Sequence, residues 1–277
     1  MTSPAEQFAA LVDRPEGNVD VARAALVYAL NEYPELDVGA CLARLDALGE
    51  SARARIDDAG REPFAALDAL NEFLFEEEGF AGNTKAYRDP RNSFLNEVLE
   101  RRLGIPITLS VVYCEVAARA GLPVRGVGFP GHFLVRHDAP QGEIFLDPFN
   151  AGRILNDEEL QEMLARFAGP EAGLEEAHLR PATARETLAR MLRNLKGIYA
   201  AGAAQEKLLW VTELLLLLEP DVPEEIRDRG AVLANLQRYR EAVPFLLQYL
   251  EKRPEAEDAE EVRKTIRFLR RMAAQLN

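Results

Sequence analysis

The chain reads as an α+β protein: a helical N-terminal part, a central helix packed on a small antiparallel sheet, and an all-helical repeat region behind them. Three observations carry this reading. Apolar residues recur at helical spacing through residues 4–80. Short β-rich runs separated by turn signals cluster between residues 123 and 147. From about residue 183 the helical pattern returns with a fixed period. A length of 277 residues accommodates two domains of ordinary size, placed at 1–180 and 181–277.

In chain order, VDVARAALVYALNEYPELD and DVGACLARLDALGESARARI carry helical periodicity, with Asp or Asn near each start as caps. GFAGNTKAYRDPRNSF, rich in Gly, Asn, Asp and Pro, reads as a long ordered loop, a kind of segment that often carries function. FLNEVLERRLG then predicts a short helix ending at Gly104, and Pro106 stands where a first-turn proline begins the next. That helix, ITLSVVYCEVAARAG, is apolar nearly all round, which puts it at a domain centre. PVRGVG, HFLVRH and EIFLD follow as strands, divided by FPG and DAPQG, the latter a hairpin turn.

In the last third, Pro220 and Pro254 stand 34 residues apart, each after an apolar helix, LLLLLEP and LLQYLEKRP. That is the length of a tetratricopeptide unit. Counting back from Pro254, Gly230, Tyr239 and Ala242 fall where the pattern wants a small residue, a tyrosine and an alanine. The first unit is degenerate, with Gly197 one place off and Leu208 where alanine is expected. About two units and a capping helix are expected, with an unrelated helical bundle as the alternative. Trp210 and the leucine run read as repeat core.

Charge and composition narrow the function. Net charge is −13 with no basic stripe, which argues against nucleic acid. The most apolar segment, LLWVTELLLLLEP, is interrupted by Thr212 and Glu213 and falls short of the roughly 20 residues a bilayer span needs, so no membrane is expected. MTSPAEQF shows no secretory pattern, and Cys41 and Cys114 sit in apolar helical patterns as reduced side chains, so a cytoplasmic location is expected. His132 and His137, five apart, face opposite sides of a strand, so neither a metal site nor a cofactor is expected; His178 reads as a linker surface residue. Stretches such as EELQEML and EAEDAEE read as solvated helix faces. The expected partner is a protein or peptide held by the repeats, with Arg227 and Arg229 near a concave face to meet its carboxylates.

Cysteine-based acyl transfer needs a thiolate, a histidine to move its proton and a third group to orient the histidine. Cys114, His132 and Asp147 supply these types in order, with His132 opening one strand and Asp147 ending the next. Cys114, however, lies about two turns into its helix on the line Ile107, Val111, Cys114, Ala118, away from the helix start that lowers a thiol's pKa. The helix start itself offers only the Thr108 hydroxyl. In the preceding loop, Asn83, Tyr87, Arg88 and Asp89 either line a cleft beside His132 or serve turns and ion pairs, with Asn92 as a helix cap.

The run RNSFLNEVLERRLGIPITLSVVYCEVAARAGLPVRGVGFPGHFLVRH, followed by IFLDPFN, resembles the SirB1-type branch of the transglutaminase-like superfamily, whose usual arrangement also trails tetratricopeptide units. The resemblance covers residues 30–277. It implies a transglutaminase-like, papain-like core in which a nucleophilic cysteine starts a central helix, a histidine opens a strand, and an aspartate followed by proline closes the next. His132 matches the histidine and Asp147 the aspartate. The cysteine position, set back from GLPVR by one helix, falls at Pro106 to Thr108, where this sequence has no cysteine. The expected function is therefore a non-catalytic protein-interaction or regulatory protein, a pseudoenzyme lacking its nucleophile. Two alternatives stand beside it: a cysteine-type hydrolase or acyltransferase using Cys114 or Thr108 with His132 as base and Asp147 as its orienter, and a scaffold in which His132 is purely structural.

Overall fold

The computed structural model describes residues 2–275. Helices α1 (Pro4–Val12), α2 (Val21–Ala29), α3 (Val38–Ala59) and α4 (Pro63–Asn71) come first. The caps are those the sequence offers: Ser3 forms a reciprocal box with Glu6, Asp20 accepts from the Arg23 amide, and Asp37 accepts from the Ala40 amide at 2.9 Å. A π-helical turn, Glu72–Glu77, extends α4. The loop that follows contains β1 (Ala81–Gly82), which pairs in parallel with β2 (Leu103–Gly104) beyond α5 (Leu95–Arg101). The expected α5 terminus at Gly104 is thus corrected: Arg102 takes the left-handed cap at φ 60°, and the next two residues pair as a strand.

Helix α6 (Pro106–Ala120) matches its expectation, with Pro106 in the first turn and Gly121 as a left-handed cap. All of its first eight residues are buried, and α3 packs along it. Strands β3 (Val124–Val127), β4 (Leu134–Ala139), β5 (Gly142–Asp147) and β6 (Arg153–Leu155) form an antiparallel meander in that order. The hairpin at DAPQG holds, with Ala139 paired to Gly142. Period-two alternation sends Val127, Leu134 and Phe145 to one face, where they cluster with Leu160 and Leu164 of α7 (Asp157–Ala168). The stretch EELQEML is therefore more than a solvated face, since its two leucines back the sheet. His137 is buried, and its Nδ1 lies 2.8 Å from the Pro123 carbonyl oxygen. His178 sits in the short helix α8 (Glu176–Leu179), where its Nδ1 accepts from the Glu175 amide.

Helices α9 (Ala184–Ala201), α10 (Gln205–Leu218), α11 (Pro223–Asn235), α12 (Tyr239–Lys252) and α13 (Ala259–Gln275) complete the chain as two helical pairs and a final helix. A Cβ on Gly230 would lie 2.7 Å from Leu246, so only glycine allows α11 and α12 to approach as they do. Arg227 and Arg229 are engaged internally, which corrects their expected role toward a partner. Arg227 pairs with Asp228 and, at 2.8 Å, with Asp258; Arg229 bonds the Leu209 carbonyl and pairs with Glu213. By packing, Arg14–Met191 form one compact unit, and the residues from Leu192 onward form another with those up to Asp13. The boundary read from sequence, 180/181, falls in the stretch between α8 and α9, whereas this division falls within α9 and places α1 with the repeats. No helix among the described residues is long and apolar enough to cross a membrane.

Candidate functional site

His132 precedes β4 in the turn Pro130–His132, and Asp147 ends β5. The histidine Nε2 lies 2.9 Å from Asp147 Oδ1. Three further features hold the carboxylate still. The Phe149 amide donates to Oδ1 at 3.0 Å, Asn150 Nδ2 donates to Oδ2 at 2.7 Å, and the Gly152 amide donates to the Asp147 carbonyl. Burial alone would raise the Asp147 pKa, yet the bonds from His132, Asn150 and Phe149 outweigh it and hold the carboxyl below its ordinary value. The turn is clamped from behind: Asn71 Nδ2 donates to the Gly152 carbonyl at 3.0 Å, and the Tyr113 hydroxyl of α6 donates to Asn71 Oδ1 at 2.9 Å. Gly152 has φ 71°, and a Cβ there would stand 2.0 Å from Asn71 Oδ1.

The pair opens on a cleft of about 330 Å³ lined by Pro130, Gly131, His132, Asp147, Asn150, Met163, Arg166 and Phe167. Asn150 and the α7 residues escaped the sequence reading. A signal existed for Asn150, an amide three residues beyond an aspartate at a strand end. None existed for Arg166 or Phe167, because only the packing of α7 on the sheet carries its last turn to His132.

The candidate nucleophiles lie elsewhere. Thr108 is fully buried at the start of α6; its hydroxyl accepts from the Ile105 amide at 3.1 Å and lies 2.8 Å from the Asn92 carbonyl oxygen to which it donates. Cys114, a free thiol, is not among the residues lining the cleft. Desolvation, aided by the negative charge of Glu115, pushes its pKa well above the usual thiol range, so the thiolate needed for attack is suppressed.

The loop residues divide. Asn83 is buried: its Oδ1 accepts from the Ala86 amide, and its Nδ2 donates to Asn92 Oδ1 at 3.0 Å. Asn92 is fully buried and donates in turn to the Ala86 and Tyr87 carbonyls, so it locks the loop and leaves the α5 N-cap to Phe94. Asp89 accepts from Arg91 at 2.7 Å and approaches Arg101, and the hydrogen bond from Arg91 keeps its pKa low. Tyr87 and Arg88 are exposed. The Tyr87 ring meets Phe149 edge-on at 6.0 Å, and Phe149 meets His132 the same way at 6.1 Å. Tyr87 therefore reaches the histidine only through an intervening ring.

Comparison with known proteins agrees with this architecture. The transglutaminase-like superfamily matches residues 39–193, and a tetratricopeptide repeat family matches residues 195–267. A UPF0162 protein of Xylella fastidiosa (strain Temecula1) is 40% identical over 242 residues, 86% of each chain. A UPF0162 protein of Vibrio cholerae is 33% identical over 229 residues, 82% of this chain and 83% of its own. Protein SirB1 of Salmonella typhimurium is 32% identical over 201 residues, 72% of this chain and 74% of its own. Tetratricopeptide repeats generally mediate protein–protein interaction. With a small sheet beside a central helix, a histidine–aspartate pair and helical repeats following in sequence, the chain belongs to the SirB1-type branch of the transglutaminase-like superfamily.

Proposed function

We propose that the protein is a non-catalytic interaction or regulatory protein that keeps a histidine–aspartate pair on a fold from which the nucleophile has been lost. Residues 1–180 carry the transglutaminase-like part, and residues 181–277 carry the repeats that hold a protein or peptide partner. One observation carries the reading: at the start of α6 stands Thr108, its hydroxyl buried and spent on backbone groups at Ile105 and Asn92. Threonine acts as a nucleophile only beside a strong base that takes its proton. The free cysteines fit a reducing compartment, the cytoplasm.

A second reading, acyl transfer from Cys114 or Thr108 with His132 as base, draws on the His132–Asp147 bond, which suits a base held by its orienter. The deciding experiment incubates the full chain with a glutamine-containing peptide and a fluorescent amine while monitoring hydrolysis and amine incorporation. Alkylation of Cys114 by iodoacetamide is followed in parallel. The expected result is no product above a His132→Ala control and alkylation far slower than that of a free thiol. Product that disappears in both His132→Ala and Cys114→Ala, or in His132→Ala and Thr108→Val, establishes the enzyme.

A further inference from the structure

Every acidic atom in the cleft is already satisfied, whereas its basic groups are not. Asp147 accepts from His132 and the Phe149 amide on one oxygen and from Asn150 on the other. His132 uses Nε2 for that bond, which leaves Nδ1 as the ring nitrogen for a ligand. Arg166 uses Nε on the Glu162 carbonyl of its own helix, at 3.3 Å, which leaves its terminal nitrogens. The remaining lining from α7 and the turn is apolar: Pro130, Met163 and Phe167, the last 65% exposed. In a chain of net charge −13, a cleft combining a guanidinium, an imidazole and an exposed aromatic ring is selective for an anion bearing an apolar group.

We infer that this cleft binds the C-terminal carboxylate of a polypeptide whose last side chain is apolar, with Arg166 and His132 on the carboxylate and Phe167 and Met163 against the side chain. The inference rests on the non-catalytic reading above, under which the occupant is a protein rather than a substrate. A volume of about 330 Å³ lies at the small end of ligand pockets and suits one terminal residue better than a folded surface. With Nε2–H donated to Asp147, the ring meets a ligand carboxylate through an N–H at Nδ1. Among the cleft-lining residues, the charged groups are Asp147 from β5, already bonded within the protein, and Arg166 from α7.

The test uses the full chain with 15N-labelled histidine. It contains three histidines, so its imidazole spectrum is small, and the His132 signals are assigned by their loss in His132→Gln. The probes are N-acetyl-Ala-Ala-Leu with a free carboxylate, the same peptide as its C-terminal amide, and sodium butyrate. Saturable movement of the His132 signals is expected with the acid peptide. Affinity should be about tenfold weaker for the amide, and about tenfold weaker for the acid peptide on Arg166→Gln, each corresponding to one lost charge-assisted contact. Equal affinity for acid and amide, or no movement of His132 at millimolar peptide, overturns the inference. Butyrate binding as tightly as the peptide overturns the assignment to a chain end. Mass spectrometry of the recovered peptide separates the two levels: an intact peptide without binding sinks this inference alone, whereas cleavage or an adduct on the protein sinks the non-catalytic reading beneath it.

Discussion

The start of α6 and the turn that holds His132 are opposite kinds of site within one compact unit. At the start of α6 the side chains of Thr108, Asn92 and Asn83 are buried and answered. Thr108, Asn92 and Asn83 form a continuous set of bonds that ends on backbone amides and carbonyls. Around His132 the acidic partner is equally well answered, but the histidine and Arg166 line an open cleft beside an exposed phenylalanine. The difference teaches that the histidine–aspartate pair of this fold stands beside a helix start that is buried core. Orientation of the histidine depends on the Asp147 turn and its clamp, not on a nucleophile.

The largest expected effect comes from breaking the open side. Asp147→Ala removes the acceptor of three bonds and leaves buried donors stranded, so urea unfolding should show a loss of about 3 kcal/mol. The same residue sets an acid limb. Because its folded pKa is depressed, its contribution to stability is fully present above about pH 4, the unfolded-chain value, and is lost as pH falls through the lower folded value. Asp147→Asn should flatten that limb in unfolding measured between pH 2 and about pH 5.

Gly152→Ala tests the clamp behind the turn. The positive φ and the clash with Asn71 predict a loss of about 2 kcal/mol, with the His132 imidazole signals displaced even though the ring itself is untouched. Thr108→Val probes the closed side, where the Asn92 carbonyl and the Ile105 amide lose their partner. A loss of about 1.5 kcal/mol with unchanged His132 signals is expected. A shift of His132 in that variant would mean that the two regions are coupled and would dissolve the comparison. The smallest effect belongs to Tyr87→Ala, which removes one exposed edge contact on Phe149 and should cost about 0.5 kcal/mol by thermal melting.

Much of the candidate site was legible in advance, but unevenly. The pairing of His132 with Asp147 follows from two strands joined by a visible hairpin, and Cys114 already stood on an apolar line of its helix. Asn83 and Asp89 carried two readings, with the structural one slightly ahead, because a polar loop residue looks much the same whether it faces a ligand or its own backbone. Packing then buried Asn83 and paired Asp89 with Arg91 and Arg101. Arg227 and Arg229 were misread for the same reason: Asp258, the partner of Arg227, lies a full repeat away in sequence.

By itself, the sequence determined what is periodic or short-range: the helices and their aspartate caps, the Pro106 start and Gly121 stop of α6, the hairpin, the 34-residue repeat and the absence of a cysteine at the helix start. These depend on spacing and backbone preference within a few residues. Only the tertiary structure decided where each polar side chain ended. It tied Thr108 to Asn92, clamped the Asp147 turn with Asn71 and brought Arg166 and Phe167 to His132. Such partners are chosen when sheet and helix surfaces pack, and a buried polar group takes whichever partner that packing brings within reach.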